Sequence, residues 1–141
     1  MTGAYEVECV EATWNLARRL AAELKPGDVV CLEGELGAGK TTFTQGLAAA
    51  LGASGRVTSP TFCIVQEHRG PDVFLVHMDL YRLRSEDDVL AIGWEDYLSE
   101  GAILVVEWPE RAGNLIPEGA QHVRFAHVRG KDNMRRIDIN P

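Results

Sequence analysis

The chain has 141 residues, of which 45% are hydrophobic and 25% charged, and its formal net charge is −7. These values are typical of one folded globular domain, so we predict a single domain over residues 1–141 and exclude wholesale disorder. An acidic chain lacks the clustered lysine and arginine that bulk capture of nucleic acid requires. The sequence has neither an apolar run of membrane-spanning length nor a signal-peptide pattern at its start, so we expect a cytoplasmic protein without a membrane partner.

The three cysteines lie far apart in the sequence and show no paired spacing of the kind found in metal sites. We therefore expect Cys9, Cys31 and Cys63 to be reduced thiols in or near the core. We also expect the four histidines not to bind a metal.

In the first half of the chain, apolar and acidic residues alternate over 5–10, which predicts a half-exposed strand. Apolar residues at helical spacing predict a helix over 12–24. A short β-branched run at 29–32 predicts a buried strand. A second helical pattern covers 42–51 and ends at Gly52.

In the second half, 62–66 and 73–77 predict two strands, and the turn between them at 68–72 favours an antiparallel hairpin. Ser85 is a predicted N-cap of a short helix reaching about Ile92, and 94–98 predicts another helical turn. The apolar run 103–106 predicts a strand buried on both faces. The stretches 122–128 and 134–139 predict a C-terminal hairpin at the sheet edge.

Between the predicted strand 29–32 and helix 42–51, residues 34–41 read GELGAGKT. They match every fixed position of the phosphate-binding pattern G-x-x-x-x-G-K-[ST]. Glycines let the backbone wrap closely around phosphate oxygens, and successive N–H groups then form an anion-binding nest. Lys40 can reach the β- and γ-phosphates, and the Thr41 hydroxyl can bind Mg²⁺. We therefore predict binding of a nucleoside triphosphate with Mg²⁺. The expected fold is α/β: a P-loop NTPase-like three-layer sandwich with a mixed, mostly parallel central sheet and a C-terminal β-hairpin.

A nucleotide site of this kind needs a second carboxylate near the metal, and two positions offer one. Glu107 ends the apolar run 103–106, and Asp79 lies two residues beyond the predicted strand 73–77. Either carboxylate could bind Mg²⁺ directly or through water, and either could instead be a surface acid. The segment TSPT at 58–61 is consistent with a capped turn or with a switch segment that senses the γ-phosphate.

Four motifs stand together in this order: LEGELGAGKTTF at 32–43, VTSPTF at 57–62, DLYRL at 79–83 and VEWPER at 106–111. In these motifs, and over essentially its whole length, the chain resembles the bacterial TsaE (YjeE) family. Those proteins are the ATPase subunit of the machinery that makes threonylcarbamoyladenosine in tRNA. The resemblance implies ATP and Mg²⁺ as cofactors and the TsaB–TsaD complex as partner. It implies that ATP hydrolysis resets that complex between turnovers, and that tRNA is contacted only through the complex.

The resemblance also implies roles for individual residues. Thr13 would lie near the adenine, Thr41 and Glu107 would bind Mg²⁺, and the segment 58–61 would sense the nucleotide. The implied catalytic residues are Lys40, Thr61, Asp79 and Glu107, with Asp79 and Thr61 as candidates for orienting the attacking water. The implied nucleotide-binding residues are Thr13, Glu35, Leu36, Gly37, Ala38, Gly39, Lys40, Thr41 and Thr42.

Two other functions remain compatible with a phosphate-binding loop. A small-molecule kinase would need a substrate pocket and a lid, and the sequence contains no insertion of lid length. A nucleotide-gated binding module would bind ATP without appreciable hydrolysis, because a partner can complete a catalytic site. A GTPase is less favoured, since the sequence shows no N/T-K-x-D-like motif for reading the base.

Overall fold

The computed structural model describes residues 1–35, 37–53 and 64–141. Its strands form a seven-stranded sheet in the spatial order β1-β7-β6-β2-β5-β4-β3. The strands are β1 (Gly3–Val7), β2 (Val29–Gly34), β3 (Val65–Arg69), β4 (Phe74–Asp79), β5 (Ile103–Glu107), β6 (Gln121–Val128) and β7 (Lys131–Ile139). The helices are α1 (Val10–Ala21), α2 (Lys40–Leu51), α3 (Glu86–Ala91), α4 (Trp94–Ser99) and a 3₁₀ segment, Pro109–Leu115.

The sheet is mixed. The four strands β6, β2, β5 and β4 run parallel to one another. On one side β7 pairs antiparallel with β6 and with β1, and on the other side β3 pairs antiparallel with β4. Five of the seven described strands, β1, β2, β4, β5 and β6, therefore run in the same direction. This confirms the predicted mixed, mostly parallel sheet and the C-terminal hairpin formed by β6 and β7.

Strand β5 lies inside the sheet, between β2 and β4, and is buried along its whole length. Its alternate residues enter two separate cores, as the period-2 geometry of a strand requires. Ile103 and Val105 pack in the core that contains α1 and α2, and Leu104 and Val106 pack in the core that contains Val89 of α3 and Trp94 of α4. Helices therefore cover both faces, which confirms the three-layer arrangement and the doubly buried strand predicted from the apolar run.

Helices α1 and α2 pack closely because α2 carries a glycine at the contact. A Cβ at Gly46 would lie 2.8 Å from Ala17 Cβ and 3.1 Å from the Trp14 backbone, which is too close for an ordinary contact. Absence of a side chain thus lets the two helices approach, at a cost in helix propensity of about 1 kcal/mol. This packing holds α2, whose first residue is Lys40, firmly against the sheet.

Several predicted boundaries and placements were wrong. The first strand ends at Val7 and α1 already begins at Val10, because pairing with β7 covers Gly3–Val7 and the chain then leaves the sheet. Strand β3 continues through Arg69, and β4 continues to Asp79, because cross-strand hydrogen bonds extend the hairpin beyond its apolar residues. The C-terminal hairpin is not at the sheet edge, since β1 pairs on the outer side of β7.

The cysteine prediction is partly wrong as well. Cys31 is buried in β2, where desolvation and the charge of Glu33 raise its pKa to about 12, but Cys9 is exposed just before α1. Cys63 lies outside the described residues, as does Phe62, the first residue of the predicted strand 62–66. None of the helices in the described part of the chain combines the length and the apolar character that crossing a membrane requires.

Candidate nucleotide-binding site

The candidate site lies at the carboxyl ends of β2, β5 and β4, three adjacent parallel strands. Gly34 ends β2, Glu107 ends β5 and Asp79 ends β4. In the sheet register Glu107 stands beside Leu32 on one side and beside Asp79 on the other. Parallel α/β sheets generally bind their ligands at this edge, so the topology brings the loop and both predicted carboxylates to one place.

The phosphate loop uses backbone conformations that favour glycine. Gly37 and Gly39 have φ angles of 77° and 111°, and Gly34 has a φ of 149°. A Cβ on Gly34 would also lie 2.5 Å from the backbone oxygen of Phe125 in β6. Within the loop the Ala38 N–H donates to the Glu35 carbonyl oxygen at 3.1 Å. These positions form a turn in which a backbone without side chains can approach an anion closely. Leu36 lies outside the described residues.

Helix α2 begins at the end of this loop, with Gly39 as its N-cap and Lys40 as its first residue. Among the described residues, no side chain caps this end, and its first turn contains no acidic residue. The free N–H groups and the positive end of the helix dipole therefore favour an anion here. Thr41 and Thr42 are half-buried in this first turn.

Lys40 joins the loop to the carboxylate at the end of β5. Its Nζ donates to the Gly34 carbonyl oxygen at 2.8 Å and lies 3.6 Å from Glu107 Oε1. Only 12% of the Lys40 side chain is exposed, so this ammonium is held at the site and does not extend into solvent.

Glu107 is buried and is held through both carboxylate oxygens. Oε1 faces Lys40, and Oε2 lies 2.7 Å from Nε2 of His77, which is fully buried in β4. Burial alone would raise the pKa of Glu107, but the hydrogen bond and charge of His77, together with Lys40, outweigh it and lower the pKa below its ordinary value. The structure therefore favours an ionised carboxylate at this position.

Asp79 is the last residue of β4, and not a residue beyond the strand as the sequence had suggested. It is half-buried, and its Oδ1 accepts a hydrogen bond from the Tyr81 N–H at 3.0 Å. The chain leaves the sheet here while Leu80 N–H donates to the Glu107 carbonyl oxygen at 3.1 Å. The Leu80 hydrogen bond therefore holds the chain just after Asp79 against Glu107, and the Tyr81 hydrogen bond orients the Asp79 carboxylate.

The residues at this edge suit Mg²⁺, which needs few protein ligands, better than a metal ion that is bound entirely by protein side chains. Among the described residues, no cluster of three His, Cys, Asp or Glu side chains could hold a metal ion. Mg²⁺ characteristically takes one or two protein oxygens and completes its shell with phosphate oxygens and water. Thr41 follows Lys40 in the first turn of α2, and Glu107 faces Lys40 at 3.6 Å, so each offers a side-chain oxygen at this edge.

Among the described residues, Thr13 is a predicted site residue that no described contact brings to this edge. Thr13 is buried in α1, where its hydroxyl donates to the Cys9 carbonyl oxygen at 3.5 Å. Its predicted place near the adenine stays a prediction. Thr61 and the rest of the segment 58–61 lie outside the described residues.

The structure adds three contacts near this edge that the sequence motifs do not specify. His77 contacts Glu107, and its position two residues before Asp79 on one strand face was the available signal. Tyr81 and Trp108 form an exposed aromatic pair with ring centroids 4.8 Å apart. Arg135 of β7 donates through Nε to the Gly37 carbonyl oxygen at 3.5 Å and so ties the C-terminal hairpin to the loop.

A family model described as "Threonylcarbamoyl adenosine biosynthesis protein TsaE" matches residues 7–137. The chain is 40% identical over 127 residues to the tRNA threonylcarbamoyladenosine biosynthesis protein TsaE of Bacillus subtilis, covering 90% of this chain and 78% of that protein. It is 41% identical over 129 residues to the TsaE protein of Streptomyces coelicolor, covering 89% of this chain and 87% of that protein.

The crystal structure of YdiB from Bacillus subtilis is similar across the fold. It aligns with a TM-score of 0.78 and 33% sequence identity, over 99% of this chain and 84% of that chain. The family match and the relatives cover the phosphate loop, β4, β5 and most of the C-terminal hairpin. The chain therefore belongs to the TsaE family of threonylcarbamoyl adenosine biosynthesis proteins.

Proposed function

We propose that the chain is a Mg²⁺-dependent ATPase that supports threonylcarbamoyladenosine modification of tRNA by binding the TsaB–TsaD complex and resetting it between turnovers. One observation carries this proposal most directly. Lys40 is held between the phosphate loop and the buried carboxylate of Glu107, at the N-terminus of α2. A cation, an ionised carboxylate and free helix N–H groups are the components from which phosphoryl-transfer sites are built.

The loop backbone and the α2 N-terminus would hold the phosphates of ATP. Lys40 would exchange its contact with the Gly34 carbonyl oxygen for the β- and γ-phosphate oxygens. Thr41 and Glu107 would hold Mg²⁺, which neutralises charge on the phosphate oxygens when bound. The buried, ionised state of Glu107 supports this assignment, because a metal ligand must give up its proton before it can coordinate.

Hydrolysis would proceed by in-line attack of water on the γ-phosphate. Lys40 would stabilise the negative charge that develops on the transferred group, since it is already oriented and largely shielded from solvent. Asp79 or Thr61 would orient the attacking water. Asp79 is supported by its position beside Glu107 and by the Tyr81 N–H that fixes its carboxylate.

The TsaB–TsaD complex would dock next to this site. Tyr81 lies two residues after Asp79, and Trp108 directly follows Glu107, so this exposed aromatic pair is next to both carboxylates. A protein that covers these rings would also reach the catalytic edge. Exposed aromatic residues are common anchors in protein interfaces. The net charge of −7 fits a subunit that contacts tRNA only through its partners in the cytoplasm.

The decisive variant is Lys40→Ala, with Lys25→Ala as a matched control. Lys25 is exposed in the loop before β2, at the opposite end of that strand from the site. We expect Lys40→Ala to abolish ATP hydrolysis while its circular dichroism spectrum and thermal unfolding remain those of a folded chain, and Lys25→Ala to leave hydrolysis unchanged. Near-normal turnover in purified Lys40→Ala would rule out the assignment. ATP binding without hydrolysis by the unmodified chain, alone and with partners, would favour a nucleotide-gated module.

A further inference from the structure

A buried histidine holds the carboxylate that the proposed function assigns to Mg²⁺. His77 is fully buried in β4, and its Nε2 lies 2.7 Å from Glu107 Oε2. The two residues stand on neighbouring parallel strands, where Asp79 is the register partner of Glu107 and His77 lies two residues earlier on the same face. An ionised carboxylate has no proton to give, so Nε2 carries the proton and donates it to Oε2.

The contacts of Glu107 are divided between its two oxygens. Oε2 contacts Nε2 of His77, which lies within the sheet. Oε1 faces Lys40 on the phosphate-loop side. A partial rotation of the carboxylate would break the His77 contact, so this hydrogen bond fixes the plane of the carboxylate and the direction in which its second oxygen faces the loop. Among the described residues His77 Nδ1 has no hydrogen-bond partner, so the ring is held on its polar side by the contact between Nε2 and Glu107.

We propose that His77 is a positioning residue for the Mg²⁺ site: it holds Glu107 Oε2 so that Oε1, which faces Lys40, is presented on the phosphate-loop side where the metal would bind. This inference rests on the proposed function, because it assumes that Glu107 receives Mg²⁺. A residue that hydrogen-bonds to a metal ligand generally fixes the orientation of that ligand. Loss of such a residue weakens metal affinity about ten- to a hundredfold. A purely structural role for His77 would instead affect folding stability and leave the metal unaffected.

The test compares His77→Gln with His77→Asn. The longer Gln amide nitrogen can reach the position of Nε2 and keep the donor, whereas the Asn amide is too short to do so. His68→Asn is the matched control, since His68 is a buried histidine of the adjacent strand β3 and its register partner is Leu75. For each folded variant, calorimetry measures binding of a non-hydrolysable ATP analogue with and without Mg²⁺. The readout is the factor by which Mg²⁺ strengthens binding.

We expect His77→Asn to reduce that factor about tenfold or more while the metal-free affinity stays within about twofold of the unmodified chain. His77→Gln and His68→Asn should retain the factor. An unchanged factor in His77→Asn, or equal losses in His77→Gln and His77→Asn, would overturn the inference. If the unmodified chain binds the analogue without any effect of Mg²⁺, or does not bind it, the proposed function itself fails, which is a distinguishable result.

A second measurement needs no folded variant. In nitrogen-15 NMR spectra of the unmodified chain, the Nε2-bound proton of His77 should give a hydrogen-bonded signal, assigned by through-bond experiments. The inference requires that this signal persists when Mg²⁺ and the ATP analogue are bound. Its loss on binding would show that His77 releases Glu107 in the metal-bound state and would overturn the proposal.

Discussion

Lys40 Nζ and Glu107 Oε1 lie 3.6 Å apart, with 12% of the lysine side chain and 7% of the glutamate side chain exposed. Lys40 is the first residue of α2 and Glu107 is the last residue of β5, so this contact joins the helix layer to the sheet at the candidate site. Both groups have a further partner, since Lys40 also donates to Gly34 and Glu107 also contacts His77. The candidate site is therefore organised by contacts within the protein itself.

This ion pair predicts a specific dependence of stability on pH. The pKa of Glu107 is lowered from its ordinary value of 4.5 in spite of burial, because His77 and Lys40 stabilise the charged form. The folded chain therefore binds this proton more weakly than the unfolded chain. Glu107 stabilises the fold above the unfolded-state pKa, and this contribution is lost as pH falls below 4.5 through the folded-state value.

Urea unfolding of the unmodified chain and of Glu107→Gln, measured between pH 6 and pH 3, tests this dependence. The amide of Glu107→Gln does not titrate, so we expect the free energy of unfolding to fall less steeply below pH 4.5 in this variant. Parallel curves for the two proteins in this range would contradict the lowered pKa.

Gly34→Ala should destabilise the fold as well as the phosphate loop. The new Cβ would lie 2.5 Å from the Phe125 backbone oxygen, and Gly34 has a positive φ that an alanine rarely adopts. We expect the free energy of unfolding to fall by about 2 kcal/mol or more. Gly119→Ala is the control, because no described atom lies within 4 Å of its added Cβ, and it should change stability by less than about 0.5 kcal/mol. Equal stability of the two variants would exclude the close contact with β6.

Trp108→Ala should reduce stimulation of ATP hydrolysis by the TsaB–TsaD complex while leaving the low rate of the isolated chain within about twofold. Trp108 has a φ of 58°, and this left-handed conformation turns the exposed ring against Tyr81 directly after Glu107. Trp14→Ala is the matched control, since Trp14 is exposed to a similar extent, 39% against 38% for Trp108, but lies on α1. Full stimulation of Trp108→Ala would show that the complex docks elsewhere.

The fold was predictable from the sequence wherever the signal was local. The phosphate loop, the capped start of α3 at Ser85 and the doubly buried strand β5 each follow from a few consecutive residues. Strand ends were less predictable, because β3 and β4 extend through polar residues such as Arg69 and Asp79 that are held by cross-strand pairing. The position of the C-terminal hairpin inside the sheet depends on pairing between the two ends of the chain, which no local pattern records.

The residues of the candidate site likewise differ in how far the sequence could predict them. Lys40, Thr41 and Glu107 could be selected from motifs, since their spacing reflects the chemistry of phosphate and Mg²⁺. The contact between His77 and Glu107 joins residues 30 positions apart, and the position of His77 on the same strand face as Asp79 was the one signal for it. The exposure of Tyr81 and Trp108 likewise depends on how two loops meet after β4 and β5.

The central claim is that ATP hydrolysis by this chain serves the TsaB–TsaD complex. The most direct measurement is the rate of Mg²⁺-dependent ATP hydrolysis by the purified chain, alone and with the TsaB–TsaD pair of the same organism, with Lys40→Ala as the blank. We predict slow hydrolysis alone and strong stimulation by the pair, abolished in Lys40→Ala. Equal rates with and without the pair would contradict the account, because the chemistry would then be independent of the complex.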